Sequence, residues 1–149
     1  MKVHHVTISA FSSVEEADAL KGVISGMLPE GVEVEDRRIE PEEEGGVFNH
    51  ELVELKAVVK KQKRIREFVS KVLGSLDDYD ARKLREGPDD FIDDRCNLYM
   101  RLSKTEAEDG NFVFESGDCI HVRLKLAAYP AKKEKALPIA RELIEDALR

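Results

Sequence analysis

Tryptophan is missing from this 149-residue sequence, cysteine occurs twice, and aromatic residues make up 6% of it. No apolar run approaches the ~20 residues of a membrane-spanning helix. The opening Met1-Lys2-Val3-His4-His5 has no apolar segment of the secretory type. A cytoplasmic protein without a membrane partner is expected. Cys96 and Cys119 have no metal-ligand spacing. In the strands proposed below, Cys96 falls in phase with the apolar face and Cys119 with the polar face, which predicts two free thiols. There is no G-x-S-x-G, no P-loop and no dinucleotide glycine fingerprint. Asp89-Asp90-Phe91-Ile92-Asp93 has the spacing of a magnesium-binding DDxxD helix, but enzymes built on that motif need a second copy in a much larger helical fold. An acidic helix start is the better reading. His5 and His121 could share one side of a sheet, but no further ligand is spaced to join them on a metal. Neither cofactor nor catalysis is expected.

What the sequence does have is charge, 37% of its residues, against 42% hydrophobic. The apolar residues recur periodically, so the chain is globular, and its length suits one domain over residues 1–149. The formal net charge of −7 argues against an anionic partner. Its distribution does not. Residues 1–55 hold 4 basic and 13 acidic side chains, whereas residues 56–76 hold 7 basic and 1 acidic. One short segment carries nearly all the positive field.

The clearest pattern runs from Cys119 to Pro130. Ile120, Val122, Leu124 and Leu126 fall on one face of an extended strand, with His121, Arg123 and Lys125 on the other. A strand covered on both sides would be apolar throughout, so this one belongs to a sheet with helices on one face only. Four more strands are expected. His4 to Phe11 places Val6, Ile8 and Ala10 inward; Val32 and Val34 open a second strand that runs through Arg37 and Arg38 toward Ile39; Leu52 to Val59 places Val53, Leu55, Ala57 and Val59 inward; Cys96, Leu98, Met100 and Leu102 alternate with Asn97, Tyr99 and Arg101. The second and third should pair as a hairpin around the acidic loop Pro41 to Gly46.

Helical spacing appears between these strands. Ser13 to Glu16 reads as a capping box ahead of the stripe Ala17, Leu20, Ile24, Met27 and Leu28. A second helix carries Ile65, Phe68, Val69, Val72, Leu73 and Leu76, and a less periodic helical piece follows as far as Leu84. Glu106 to Gly110 reads as a turn. A last helix carries Ile139, Ala140, Leu143, Ile144 and Ala147, and Pro138 means that it begins near Ala136 or bends around an earlier start. The fold class is α+β, about five mainly antiparallel strands in the order βαββαββα with helices packed on one face.

Two sets of residues form the candidate surface. Lys60, Lys61, Lys63 and Arg64, with Lys56 just before them, stand at the start of the second helix, where acidic residues would suit the helix dipole better. Such a start can grip phosphate through backbone amides and cationic side chains, although lysines flanking a strand end are often only solvated. Tyr99, Arg101, His121, Arg123 and Lys125 form an outward row whose basic members Arg101, His121, Arg123 and Lys125 are expected to lie largely exposed; the alternative is that these pair with Glu54 or other acids across strands. With Tyr99 nearly alone among aromatics, backbone or shape recognition fits better than base stacking.

Arg95 to Lys104, Val58 to Phe68, the Gly46 and Asn49 loop and Ile120 to Lys125 together resemble an archaeal family of small RNA-binding proteins whose members are regarded as predicted exosome subunits. The resemblance spans nearly the whole chain, with Ser103 and Thr105 beside Lys104 where the family has Asp and Gln. It implies a fold similar to that of the ribosomal protein that holds the small RNA of the large subunit. It also implies a non-catalytic RNA-binding protein, with structured RNA and the exosome or another RNA-processing complex as partners and Lys104 among the contact residues. The alternative is a module whose open sheet face docks another protein or a second copy to make a homodimer.

Overall fold

A computed structural model describes residues 1–41 and 51–148. The acidic loop, apart from Pro41, and the Gly46 and Asn49 positions lie outside the described residues. The elements are β1 (Val3–Ser13), α1 (Ala17–Met27), β2 (Glu35–Ile39), β3 (Leu52–Val59), α2 (Gln62–Gly74), α3 (Asp78–Glu86), a 3-10 turn (Pro88–Phe91), β4 (Asn97–Leu102), α4 (Lys104–Glu108), β5 (Ile120–Leu126) and α5 (Lys133–Ala147). Among the described residues, five strands form one sheet in the order β2-β3-β1-β5-β4, with every neighbouring pair antiparallel. The α+β class, with helices against one face of an open sheet, is as the alternation required.

The core lies between that face and the helices. Val6, Ile8, Ala10, Leu55, Val59, Leu98, Leu102, Ile120 and Val122 are completely buried, and Ile24, Phe68, Leu73, Leu84 and Ala140 meet them from the helices. β1 sits at the centre because it pairs with β3 on one side and β5 on the other, placing Ile8 between Ala57 and Val122. Since β3 and β5 both run antiparallel to β1, they end at the same margin of the sheet, Val59 opposite Val6 and Leu126 opposite Val3.

Several local expectations shift. Val32 and Val34 precede β2, which starts at Glu35 and is exposed along almost its whole length, as an edge strand of charged residues can be. Ser13 Oγ accepts from the Glu16 amide at 3.3 Å, but this closes a turn and the regular helix begins only at Ala17. The expected turn at Glu106 is the end of α4, because Ser103 caps it by accepting from the Glu106 amide at 3.2 Å. α5 takes the earlier of its two starts, at Lys133, and holds Pro138 within it. Pro138 and Glu134, whose carbonyl loses its i+4 donor there, are both exposed, so water can replace the missing bond. Cys96 and Cys119 are both free and both buried, Cys119 despite its polar-face register.

The outer edge of β4 is covered rather than bare. The Asp93 amide donates to Asn97 O at one end, and Val113 and Glu115 bond to Ser103 and Arg101 at the other.

Candidate nucleic-acid interface

On the face away from the helices the register sets side chains into lateral rows. Lys56, Ser9, His121 and Arg101 form one, and Val58, Thr7, Arg123 and Tyr99 the next. His5, Lys125 and Asn97 form a third. Among the described residues no helix packs on this face.

The outward row is not largely exposed as expected. Arg101 is, but His121, Arg123 and Lys125 are half-buried, as is Tyr99, because neighbours on β4 and β5 lean together. The Arg123 guanidinium lies 4.5 Å from the Tyr99 ring centroid and that of Arg101 5.3 Å. The Tyr99 hydroxyl bonds to His121 Nδ1, and Arg101 Nε donates to the same hydroxyl at 3.4 Å. Lys125 Nζ donates to Arg95 O. Glu54, the acid that could have neutralised this row, is held by Arg37 on β2 at 2.9 Å. The arginines therefore surround an aromatic ring instead of pairing with acids.

Burial pushes the pKa of His121 below its usual value, and Arg123 and Arg101 push it the same way. His5 is lowered too, by burial first and then by His4, Lys125 and Lys60. Both imidazoles are neutral near pH 7, so the fixed charge of the face comes from Lys56, Arg101, Arg123 and Lys125. Burial also raises the Cys119 thiol pKa, its Sγ lying 4.0 Å from His121 Nε2.

α2 begins as the charge pattern suggested. Lys61 is its N-cap residue without a capping side chain, and its first turn contains no acid. Lys60, Lys61 and Lys63 are exposed. Arg64 folds over Gly31, whose φ of +89° and missing side chain leave room for the guanidinium. Gln62 donates to Val3 O at 3.0 Å, which docks the helix start at the margin where β1 begins. Two hollows meet there, one of about 620 Å³ between Gly31, Glu35, Lys61 and Arg64 and one of about 590 Å³ between His5, Thr7 and Gln62. Lys56 and Lys60 line both, joining the helix start to the open sheet face.

Other basic residues stand apart. Lys104 reaches from the far end of the sheet to Phe11 O and to Asp118 at 2.8 Å. His5 and Phe11 are six residues apart on β1, so Lys104 is roughly 20 Å from the α2 start. Lys132, Lys133 and Lys135 precede or open α5, but it is the last turns of α5 that approach Lys2, through Glu142 at 3.4 Å and Asp146 at 2.5 Å. The α5 start is thus ~15 Å or more from the α2 start.

Beyond β4 a cavity of about 790 Å³ lies between α3, the 3-10 turn and the segment 113–116. Tyr99 and Arg101 stand at its side, and Phe91 and Phe114 meet in it with ring centroids 5.3 Å apart. Sequence reasoning missed it. Its one buried acid, Asp80, is 5% exposed and sits one turn from buried Leu84, so an acid on the apolar stripe of α3 was the available signal. Of the DDxxD acids, Asp90 and Asp93 border it and Asp89 does not. Burial would raise the Asp93 pKa, but N–H donors from Asn97 and Arg95, with Arg123 nearby, outweigh it and lower the value. Among the described residues no group of three or more His, Cys, Asp or Glu is placed to hold a metal.

A sheet backed by helices on one side, with a cationic and partly aromatic surface on the other, defines a class of α+β binding proteins. The chain belongs to the RNA-binding family, whose sequence pattern, described as RNA binding, matches residues 5–126, from β1 to the end of β5. It is 29% identical over 147 residues to an RNA-binding protein of Pyrococcus abyssi, covering 97% of this chain and 96% of that one. A DUF54 protein from Archaeglobus fulgidus has a similar crystal structure, with a TM-score of 0.80 and 29% identity over 95% of this chain and 99% of that one. A DUF54 protein from Methanothermobacter thermautotrophicus shares the fold at a TM-score of 0.71 and 22% identity, over 97% of this chain and 99% of that one.

Proposed function

We propose that this chain, acting as one domain, is a non-catalytic RNA-binding protein that holds structured RNA by its backbone. Lys56, Lys60, Lys61, Lys63 and Arg64 grip phosphates at the β3–α2 junction, where unpaired helix amides add donors. The strand runs on across the open face, over Lys125, Arg123 and His121 toward Tyr99, Arg101 and Lys104. The observation that carries this reading is the continuity of the two hollows through Lys56 and Lys60. Without it the basic helix start and the sheet face would be two unrelated patches. Few aromatics and many cations favour contacts that carry little sequence information.

The sequence resemblance extends the proposal to an accessory role in RNA processing or degradation, with the exosome as the partner complex. Copurification of RNA and exosome subunits from the native host tests that extension. Affinity for a structured RNA, measured across salt concentrations, tests the core of the reading. A flat salt dependence would transfer the open face to the alternative, docking of a protein or of a second copy as a homodimer, because only phosphate contacts release condensed counterions.

A further inference from the structure

The cavity beside β4 differs in chemistry from the rest of the surface. Phe91, Phe114 and Tyr99 line it among the carboxylates Asp77, Asp80, Asp90, Asp93 and Glu115, and Arg101 borders it from the side of the open sheet face. At about 790 Å³ it falls within the ~300 to 1,000 Å³ of typical small-ligand sites. Asp80 is its least explained residue. The carboxylate is 5% exposed, forms no salt bridge among the described residues and accepts one hydrogen bond, from the Phe114 amide to Oδ2 at 2.8 Å. Its other oxygen has no partner among the described residues, yet is not sealed off, and Asp80 borders the cavity. That oxygen is therefore open to donors from water or from a ligand in the cavity. By contrast, Asp77 caps α3 through the Tyr79 amide and Asp93 is satisfied by Arg95 and Asn97.

We infer that this cavity takes a single unpaired guanine base, extruded from an RNA whose backbone lies on the adjacent basic face. The inference rests on the RNA-binding reading and adds a base-specific subsite to it. A carboxylate offers only acceptors, and guanine presents two adjacent donors, N1–H and the N2 amino group, on its Watson–Crick edge. Adenine and cytosine present one amino group there. Uracil presents one N–H flanked by two carbonyl oxygens that would oppose the carboxylate. Phe91 and Phe114, both half-buried at the cavity, supply stacking area for the base, the Tyr99 ring being already held by Arg123 and Arg101. Charge is divided to match, with acceptors inside for the base and Arg101 and Arg123 outside for the phosphates.

The probe is a set of RNA hairpins identical except for a one-nucleotide bulge of G, A, C or U, plus the same hairpin without a bulge. Each is titrated against the wild-type protein and Asp80→Asn. Asparagine keeps an oxygen for the Phe114 amide but replaces the free acceptor with a donor, so the loop stays anchored while the edge complementarity is lost. The expected result is tightest binding of the G bulge, roughly 10-fold over the U bulge, as a good base contact gives. Asp80→Asn should erase that preference while binding the unbulged hairpin as wild type does. Equal, salt-dependent affinity of the wild type for all five hairpins would overturn the guanine site and leave the RNA-binding reading intact. Binding to none of them would overturn both. A preference for G that survives in Asp80→Asn would place the recognition elsewhere and also refute the inference. Near-identical melting temperatures of the two proteins exclude a folding defect.

Discussion

Replacing Lys60, Lys61 and Arg64 together with glutamine probes the α2 start most directly. Each phosphate neutralised on a duplex contributes about −0.9 to the slope of log affinity against log salt. If all three cations sit on phosphates, their loss flattens the slope by about 2.7 and weakens binding at 0.1 M salt by roughly 500-fold relative to wild type. Lys61 and Lys60 are exposed and Arg64 is half-buried over Gly31, so none of the three supports the core. Stability should hold or rise, since cations at an uncapped helix start oppose its dipole. The informative control is a second triple change, Lys132, Lys133 and Lys135 to glutamine. Either variant moves the formal net charge from −7 by three more negative units to −10. Only the first removes charge from the hollows that reach the sheet face. The assay is affinity for one structured RNA at four or five salt concentrations, beside melting temperatures. Equal losses from both triples would mean that overall charge governs binding. No loss from the first would mean that these side chains are only solvated.

Three further outcomes are expected. Leu124→Ala should cost ~2 to 5 kcal/mol, since Leu124 is 1% exposed between Val6 and Leu98; at about 3 °C per kcal/mol for a chain of this size, that lowers the melting temperature by roughly 6 to 15 °C. His5 and His121 take up protons in the unfolded chain before they do in the folded one, so the stability of the free protein should fall as pH drops through ~6.5 toward their lower folded values. RNA phosphates on the same face favour the charged imidazoles, so affinity should rise over that window, and the double change to glutamine should flatten both trends; affinity that falls on acidification in wild type would remove phosphate from this part of the face. Gly31→Ala forces a side chain onto a φ of +89° and brings its Cβ to 2.5 Å from Arg64 Nη2. It should cost ~1 to 2 kcal/mol and, by displacing Arg64, weaken RNA binding by up to about 8-fold, the worth of one phosphate at 0.1 M salt, with no further loss when Arg64→Gln is added.

The sheet was legible because its alternation is strict. Leu124, Val122, Leu98 and Met100 on one side and Arg123, Lys125 and Arg101 on the other could not share a face, and period-two geometry allows no third arrangement. The uncapped basic start of α2 was legible for the same kind of local reason. What escaped depends on contacts between distant residues. The half-burial of Arg123 needs Tyr99, which is opposite it only once β4 and β5 are in register. α4 looked like a turn because five residues carry too little periodicity to mark a helix, and only the Ser103 cap decides it. The cavity beside β4 was least visible. Its walls come from four separate stretches of chain, and the acid at its base looks like any other on a charged helix until Leu84 is seen buried a turn away.

The two margins of the sheet are finished in different ways, and this governs how copies of the chain can meet. At β4, the Ile92–Asp93 and Val113–Glu115 segments occupy backbone groups that an incoming strand would need. At β2, Glu35, Asp36, Arg37 and Arg38 stand exposed in sequence, so a second β2 laid antiparallel across it would have to match two acids against two bases. Antiparallel alignment does supply that match, Glu35 and Asp36 of one copy against Arg38 and Arg37 of the other. Among the described residues, strand-to-strand fusion is therefore closed at β4, and at β2 it would have to displace the ion pairs that Asp36, Arg37 and Arg38 already make with Lys21, Glu54 and Glu51.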